Sequence, residues 1–138
     1  MHRPPHSLGI RHLALRVGDI QKSKAFYQHV FGMYPVWEPD SLNSYLSSGP
    51  DNLALHQVED APSTLHQTHP SSLDHFGFLM ENHEAVDEML RWIEQCEIPI
   101  TKAPKTHRDG SYSFYIADPD GNTIQVLYEP NIKGPPSA

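Results

Sequence analysis

The chain has 138 residues, which is enough for one domain with a buried core, and 38% of them are hydrophobic. Its formal net charge of −7, without a basic run, argues against a role in binding nucleic acid. The single cysteine, Cys96, excludes an intrachain disulfide framework and a cysteine-based zinc site. Ten histidines, in contrast, supply candidate metal ligands.

The sequence also carries no signal for a membrane or for export. No apolar stretch is long enough to cross a bilayer, and the opening residues lack the apolar segment of a signal peptide. We therefore expect a cytoplasmic protein that contacts no membrane.

The first half of the chain predicts a strand, a helix and three further strands. Apolar residues alternate over 10–17, and Asp19 is a suitable N-cap for a helix that Gly32 ends. Weaker strand patterns follow over 33–38, 44–47 and 53–58. The polar stretch 59–72, with two prolines, predicts a connecting loop.

The second half repeats this order. A strand is predicted over 73–80, a helix over 83–96, and strands over 98–101, 112–116 and 123–128. When His12 is superposed on His75, the apolar positions of the two first strands coincide, and the last strands of the two halves match in the same way. The chain is therefore predicted to contain two β-α-β-β-β modules.

The predicted fold class is α+β, with one domain over residues 9–130. The first module covers 9–60 and the second 73–130, joined by a linker at 61–72. Residues 1–8 and 131–138 are predicted to be flexible ends.

Alternation along the strands predicts what each face carries. Leu13, Leu15 and Val17 are predicted to pack under the helix, so His12 points to the opposite face. The same pattern places His75 on the face away from the second helix. Small residues, Ala14 and Gly77, follow the two histidines on their own face and leave the space that a pocket needs.

Two stretches of the sequence resemble a known superfamily. Residues 11–23, with Phe26-Tyr27 and Phe31-Gly32-Met33, resemble the opening of glyoxalase-type proteins, and residues 114–125 resemble their final hairpin. Over residues 9–130 the chain resembles the vicinal-oxygen-chelate superfamily, which includes glyoxalases, bleomycin-resistance proteins and extradiol dioxygenases. The resemblance implies that the two modules form a curved mixed sheet around a cavity with a divalent-metal site.

The resemblance also implies where the metal ligands lie. The family's ligand positions correspond to His12, Ala54, His75 and Gln125, but Ala54 has no ligating atom and Gln125 stands where the family has a carboxylate. The implied metal ligands are therefore His12, His75 and the amide oxygen of Gln125, for Fe(II), Mn, Ni or Zn. His56 lies two residues beyond Ala54, where it replaces the missing ligand or contacts the substrate.

Residues 107–115, with Asp118-Pro119 and Gly121, resemble the extradiol dioxygenase signature. In that family a histidine and a tyrosine at the positions of His107 and Tyr115 bind and protonate the substrate. The resemblance thus implies that Tyr115 and His107 are catalytic, and His56 is a third candidate. Glyoxalase I activity is disfavoured, because neither carboxylate position holds the glutamate that is thought to move protons in that reaction.

Three functions remain open at the level of sequence. The first is a metal-dependent enzyme that acts on a small organic substrate with vicinal oxygens, with extradiol-dioxygenase-like chemistry favoured. The second is a metal-free protein that binds a small drug or metabolite, as bleomycin-resistance proteins do. The third is a lyase, isomerase or epimerase with a non-standard base. By resemblance the chain is expected to be a homodimer, with the modules paired within one chain or between two.

Overall fold

The structure is a computed structural model, which describes residues 3–58 and 72–132. The predicted linker, apart from residue 72, and the tail beyond residue 132 lie outside the described residues. Within the described part of the chain, no helix is long and apolar enough to cross a membrane.

The first module contains one helix and four strands, as predicted. They are β1 (His12–Val17), α1 (Ile20–Phe31), β2 (Tyr34–Asp40), β3 (Asn43–Ser47) and β4 (Asn52–Gln57). Asp19 caps α1 by accepting hydrogen bonds from the backbone N–H groups of Gln21 and Lys22. Gly32 ends the helix with a φ of 69°, a left-handed conformation that glycine adopts without strain.

The second module repeats this order with β5 (Phe76–Leu79), α2 (His83–Gln95), β6 (Lys102–Thr106), β7 (Tyr112–Ala117) and β8 (Thr123–Tyr128). Asn82 caps α2 through its side-chain oxygen. The fold class predicted from the sequence is confirmed.

One predicted strand is wrong. The strand expected over 98–101 lies instead at Lys102–Thr106. The apolar residue Ile98 belongs to the end of α2, because its N–H donates to the carbonyl of Ile93 (3.2 Å) while Glu97 takes a φ of 60°. This is the hydrogen-bonding pattern of a Schellman cap, in which an apolar residue after the helix packs back on the core. The apolar alternation of Ile98 and Ile100 therefore reflects core packing rather than a strand.

Each module forms its own four-stranded sheet. The strand orders are β1-β4-β3-β2 and β5-β8-β7-β6, and in each sheet the first and last strands of the module pair in parallel. The side of each sheet that faces its helix is buried, with Leu15 and Val17 on β1 and Ile124 and Val126 on β8. The opposite side, which we call the helix-free face, carries the candidate site residues of both modules.

Helix α1 connects the two modules through the turn between β7 and β8. The hydroxyl of Tyr27, fully buried on α1, donates to Oδ2 of Asp118 (2.6 Å). At the start of α1, the N–H of Gly18 donates to Oδ1 of Asp120 (2.9 Å), and the hydroxyl of Ser23 donates to Oδ2 of the same residue (3.4 Å).

Asp118 also holds the turn itself in shape. Its carboxylate accepts the backbone N–H groups of Asp120 (3.0 Å) and Asn122 (2.8 Å) as well as the side-chain amide of Asn122 (2.9 Å). Burial and the neighbouring Asp118 raise the pKa of Tyr27 well above its ordinary value, so this phenol stays a donor.

An aromatic stack and a tryptophan hydrogen bond add to this junction. The ring of Phe31 at the end of α1 stacks on Phe78 of β5, with 3.7 Å between centroids and 6° between planes. The indole N–H of Trp92 on α2 donates to the carbonyl of Val30 (3.1 Å). The first module is thus held against the second on the helix side of both sheets.

We expect Tyr27→Phe to lower the free energy of unfolding by about 1.5–3 kcal/mol, because a buried carboxylate loses a hydrogen bond that water cannot replace. Tyr112→Phe is the matched control. The hydroxyl of Tyr112 also donates to an aspartate, Asp87, at 2.6 Å, but Tyr112 is only half-buried. Water can therefore replace this hydrogen bond, and the loss of unfolding free energy is smaller. Urea unfolding of both variants measures the difference, and equal losses would contradict the role of the buried junction.

The pH dependence of stability tests Asp120. Burial raises the pKa of Asp120, opposed in part by the N–H of Gly18, while Asp118 adds to the rise. The folded-state pKa of Asp120 lies above its unfolded-state value of about 4. The stabilisation that protonated Asp120 contributes is therefore complete below about pH 4, and it is lost as pH rises through the folded-state pKa.

The variant Asp120→Asn keeps a side-chain oxygen that can accept from the N–H of Gly18, but its amide group does not titrate. We therefore expect the unfolding free energy of the variant, relative to the unsubstituted protein, to increase as pH rises from about 4 towards 7. Urea unfolding at a series of pH values measures this difference, and a constant difference would show that Asp120 does not titrate with a raised pKa.

Candidate metal and substrate site

Three histidines on the helix-free faces share one hydrogen-bonding arrangement. In each ring Nδ1 meets a side-chain oxygen that can only accept, so the ring hydrogen is assigned to Nδ1 and the lone pair to Nε2. Among the described residues, Nε2 has no hydrogen-bond partner in any of the three. The pairs are His12 with Asn52 (2.8 Å), His56 with Asn43 (2.6 Å) and His75 with Asp74 (2.6 Å).

This arrangement is typical of metal-binding histidines, whose second nitrogen donates to a carboxylate or carbonyl and so fixes the tautomer. The hydrogen bond from His75 lowers the pKa of Asp74, so that carboxylate stays charged beside the ring. Each ring is oriented by a partner that is not itself a candidate ligand.

In the first module, strand register places the two ligand positions on neighbouring strands, offset by two residues, because His12 pairs with Asn52. Parallel pairing of β1 and β4 sets Ala14 opposite Ala54, and Arg16 opposite His56. Ala54 is fully buried, and its methyl group offers no ligating atom. The ring of His56 lies edge-on to that of Tyr45 on β3, with 5.7 Å between centroids.

In the second module, His75, Tyr115 and Gln125 lie together. The rings of His75 and Tyr115 meet edge to face at 5.5 Å between centroids, and Tyr115 is the β7 neighbour of Gln125. Gly77, opposite Gln125 on β5, permits close packing of the strands: a Cβ there would lie 2.9 Å from Cδ2 of Leu127 and 3.0 Å from the carbonyl oxygen of Gln125.

A buried serine links Gln125 to His107. The side-chain amide nitrogen of Gln125 donates to the hydroxyl of Ser113 (3.0 Å), and the same hydroxyl lies 3.0 Å from Nε2 of His107. Ser113 is 1% exposed, so both partners meet it away from solvent. His107 also borders an open pocket of about 440 Å³ that is lined by Lys105 to Asp109.

Sequence reasoning did not identify Ser113 or Lys102 as site residues. Ser113 lies two residues before Tyr115, and strand alternation places both on one face, so that signal was available. Lys102 has its Nζ 5.2 Å from the centroid of the Tyr115 ring, a cation–π distance. It was missed because the strand that carries it was predicted four residues too early.

The predicted residues are grouped by module. His12 and His56 lie on β1 and β4 of the first module. In the second module, Tyr115 and Gln125 lie on β7 and β8, His75 directly precedes β5, and His107 directly follows β6. Within residues 3–58 and 72–132, no three or more His, Cys, Asp or Glu side chains form a cluster that could hold a metal ion. The predicted set of His12, His75 and Gln125 contains only two histidines, with an amide as its third member, and its residues come from both modules.

Comparison with known proteins identifies the class. The family model of the Glyoxalase/Bleomycin resistance protein/Dioxygenase superfamily matches residues 9–126, and the chain belongs to this superfamily. The resemblance found in the sequence is thereby confirmed.

Individual relatives are similar over most of their length. A virulence protein of Salmonella typhimurium is 33% identical over 122 residues, which cover 85% of this chain and 81% of that protein. The metallothiol transferase FosB of Lysinibacillus sphaericus is 30% identical over 116 residues, covering 84% of this chain and 79% of that protein. The crystal structure of a lactoylglutathione lyase from Agrobacterium tumefaciens superposes with a TM-score of 0.72 at 28% identity, covering 91% of this chain and 96% of that one.

Proposed function

We propose that the chain binds a divalent metal ion through His12, His75 and Gln125 and acts on a small substrate with vicinal oxygens. The observation that carries this proposal is the shared arrangement of the histidines. In His12 and His75, Nδ1 is engaged by a side-chain oxygen, and Nε2 has no hydrogen-bond partner within residues 3–58 and 72–132, as expected of metal-ligating histidines.

The donor chemistry of these residues fits a divalent ion. Imidazole nitrogen suits Fe, Ni and Zn, and an amide oxygen adds a harder donor that suits Mn. In Gln125 the amide nitrogen is engaged by Ser113, while the amide oxygen has no described partner. All three ligands are neutral, so affinity is expected to be lower than in a site with a carboxylate. The bound ion, in turn, would polarise a substrate oxygen or a water molecule.

The second module supplies groups for acid–base chemistry. Tyr115 faces His75 and offers a phenol hydroxyl that donates to a substrate oxygen. His107 uses Nε2 to contact Ser113, so Nδ1 remains for a second substrate oxygen. Because the signature residues His107 and Tyr115 are both near Gln125, extradiol-dioxygenase-like chemistry is our preferred reaction. His56 lies in the first module and serves as a substrate contact or a replacement ligand.

The proposed ligands come from both modules, which bears on assembly. His12 lies on β1 of the first module, whereas in the second module Gln125 lies on β8 and His75 directly precedes β5. We propose a homodimer, with the site built within one chain or with His12 from one subunit and the other two ligands from its partner.

Thiol transfer is a second candidate. The relative FosB is by name a metallothiol transferase. In this chain, Lys102 and Lys105 pair with Tyr115 and Ser113 across β6 and β7 and so lie beside the site residues, where they suit an anionic substrate or thiol.

A metal-free binding protein is the alternative if no ion is bound, and the absence of carboxylate ligands favours it.

Metal content tests the proposal first. We expect protein purified without chelator or affinity metal, under reduced oxygen, to contain close to one Fe, Mn, Ni or Zn ion per chain, and His75→Ala to lose it. His83→Ala is the control, because His83 contacts Tyr112 and Tyr128 on the helix side of the same sheet. Elemental analysis measures the ion, and a protein that stays empty even on titration would leave the metal-free binding role.

Oxygen uptake tests the preferred reaction. We expect the iron-loaded protein to consume oxygen with a catechol, and Tyr115→Phe to lower kcat by about 100-fold without loss of metal, because one acid–base group is removed. Tyr112→Phe, on the opposite face of β7, should keep the rate. An iron-loaded protein that consumes no oxygen but conjugates a thiol to an electrophile would favour the transferase instead.

A further inference from the structure

The amide of Gln125 has two different ends, and only one of them can bind a metal. Its oxygen carries lone pairs, whereas its nitrogen carries two hydrogens and is a donor only. A carboxylate at this position would present an oxygen in either orientation. With glutamine, the ligand set that we propose depends on which way the amide is turned.

The surroundings of Gln125 discriminate between the two orientations. Ser113 has one hydroxyl hydrogen and two neighbours at 3.0 Å, the Gln125 amide and Nε2 of His107. When His107 carries its hydrogen on Nδ1, Nε2 accepts the Ser113 hydrogen. The serine oxygen then has only lone pairs left for Gln125, so it accepts from the amide nitrogen and the amide oxygen points away from it.

The reversed orientation is costly when His107 carries its hydrogen on Nδ1. If the amide oxygen faced Ser113, it would need the same hydroxyl hydrogen, and Nε2 of His107 would lose its donor. Ser113 is 1% exposed, so water cannot easily supply the missing partner. For this tautomer of His107, the hydrogen-bonded chain therefore has one arrangement that satisfies all three groups, and it leaves the amide oxygen free of Ser113.

We propose that Ser113 and His107 are positioning residues that turn the Gln125 amide so that its oxygen, and not its nitrogen, faces the metal site. This inference rests on the proposed function, since it concerns the same ligand. It also couples the substrate to the metal. A substrate oxygen that accepts from Nδ1–H of His107 stabilises the tautomer in which Nε2 accepts from Ser113 and the amide oxygen of Gln125 stays free.

The first test needs no metal. In the metal-free protein, the side-chain amide protons of Gln125 should exchange slowly with solvent, and their NMR signals are identified by their absence from Gln125→Glu. We expect Ser113→Ala to speed this exchange. His107→Phe should do the same although Ser113 is intact, because the hydroxyl hydrogen becomes available to the amide oxygen.

Two further variants make this test specific. Ser113→Thr keeps the hydroxyl and should restore slow exchange. Ser111→Ala removes another buried hydroxyl, which donates to Asp109 at 2.6 Å, and should leave the Gln125 signals unchanged. Unchanged exchange in Ser113→Ala, or an equal effect of Ser111→Ala, would overturn the proposal.

The second test measures Mn²⁺ affinity by titration. We expect Ser113→Ala and His107→Phe to weaken binding about tenfold, the size typical of losing a group that orients a metal ligand. In the Gln125→Glu background the same two substitutions should weaken binding less than threefold, because either carboxylate oxygen can ligate. An equal loss in both backgrounds would show that Ser113 and His107 do not act through amide orientation.

The two measurements separate the possible failures. If the unsubstituted protein takes up no metal, the proposed function fails, and amide exchange still decides whether Ser113 and His107 hold Gln125. If metal binds but the exchange of the Gln125 amide does not depend on these residues, the positioning role fails and the metal site stands. Thermal unfolding of every variant confirms that each compared protein is folded.

Discussion

The carboxylate of Asp118 lies where the two modules of this chain meet, and it accepts hydrogen bonds from both. Three of its donors belong to its own turn, and the fourth is the buried hydroxyl of Tyr27 on α1. That turn leads directly into β8, the strand that carries Gln125. The position of the candidate ligand in the second module therefore depends on a helix of the first module, although the two sheets are separate.

The ligand set that we propose is neutral, and this gives the surrounding polar groups a particular importance. Charged carboxylates would hold a divalent ion through strong attraction, whereas two imidazoles and an amide offer directional lone pairs. Each of these ligands is accordingly held by a specific neighbour: Asn52 for His12, Asp74 for His75 and Ser113 for Gln125. In the proposed site, orientation compensates in part for missing charge, so the residues that orient the candidate ligands belong to the site as well.

The second module carries more of the candidate chemistry than the first. Tyr115 and Lys102 lie near His75, and His107 and Gln125 contact Ser113, so this module groups a phenol donor, a cation and the amide of the candidate ligand. The first module contributes His12 and His56 beside the small residues Ala14 and Ala54, which add no reactive group. The chain thus has two similar scaffolds, and under the proposed function one carries most of the reacting groups while the other completes the metal site. This division is consistent with a superfamily whose members differ widely in reaction while sharing a fold.

The sequence by itself determined the duplicated architecture. It also indicated that His12 and His75 are equivalent positions in the repeat, each on the side away from the helix of its module. These features depend on local periodicity, since alternation within a strand and caps at helix ends are set by neighbouring residues. The displaced strand at Lys102 shows the limit, because Ile98 looks like part of a strand and serves as a helix cap.

Except for Asp74, which is next to His75 in the sequence, the partners that orient the candidate residues were decided by the tertiary structure. Asn52 lies 40 residues from His12, Asn43 lies 13 from His56, and Ser113 lies 12 from Gln125. Contacts over such separations depend on strand register and on burial, which set the distance and direction between side chains on different strands. Periodicity predicts the face on which a residue lies, whereas its partner on that face is decided only when the strands are paired.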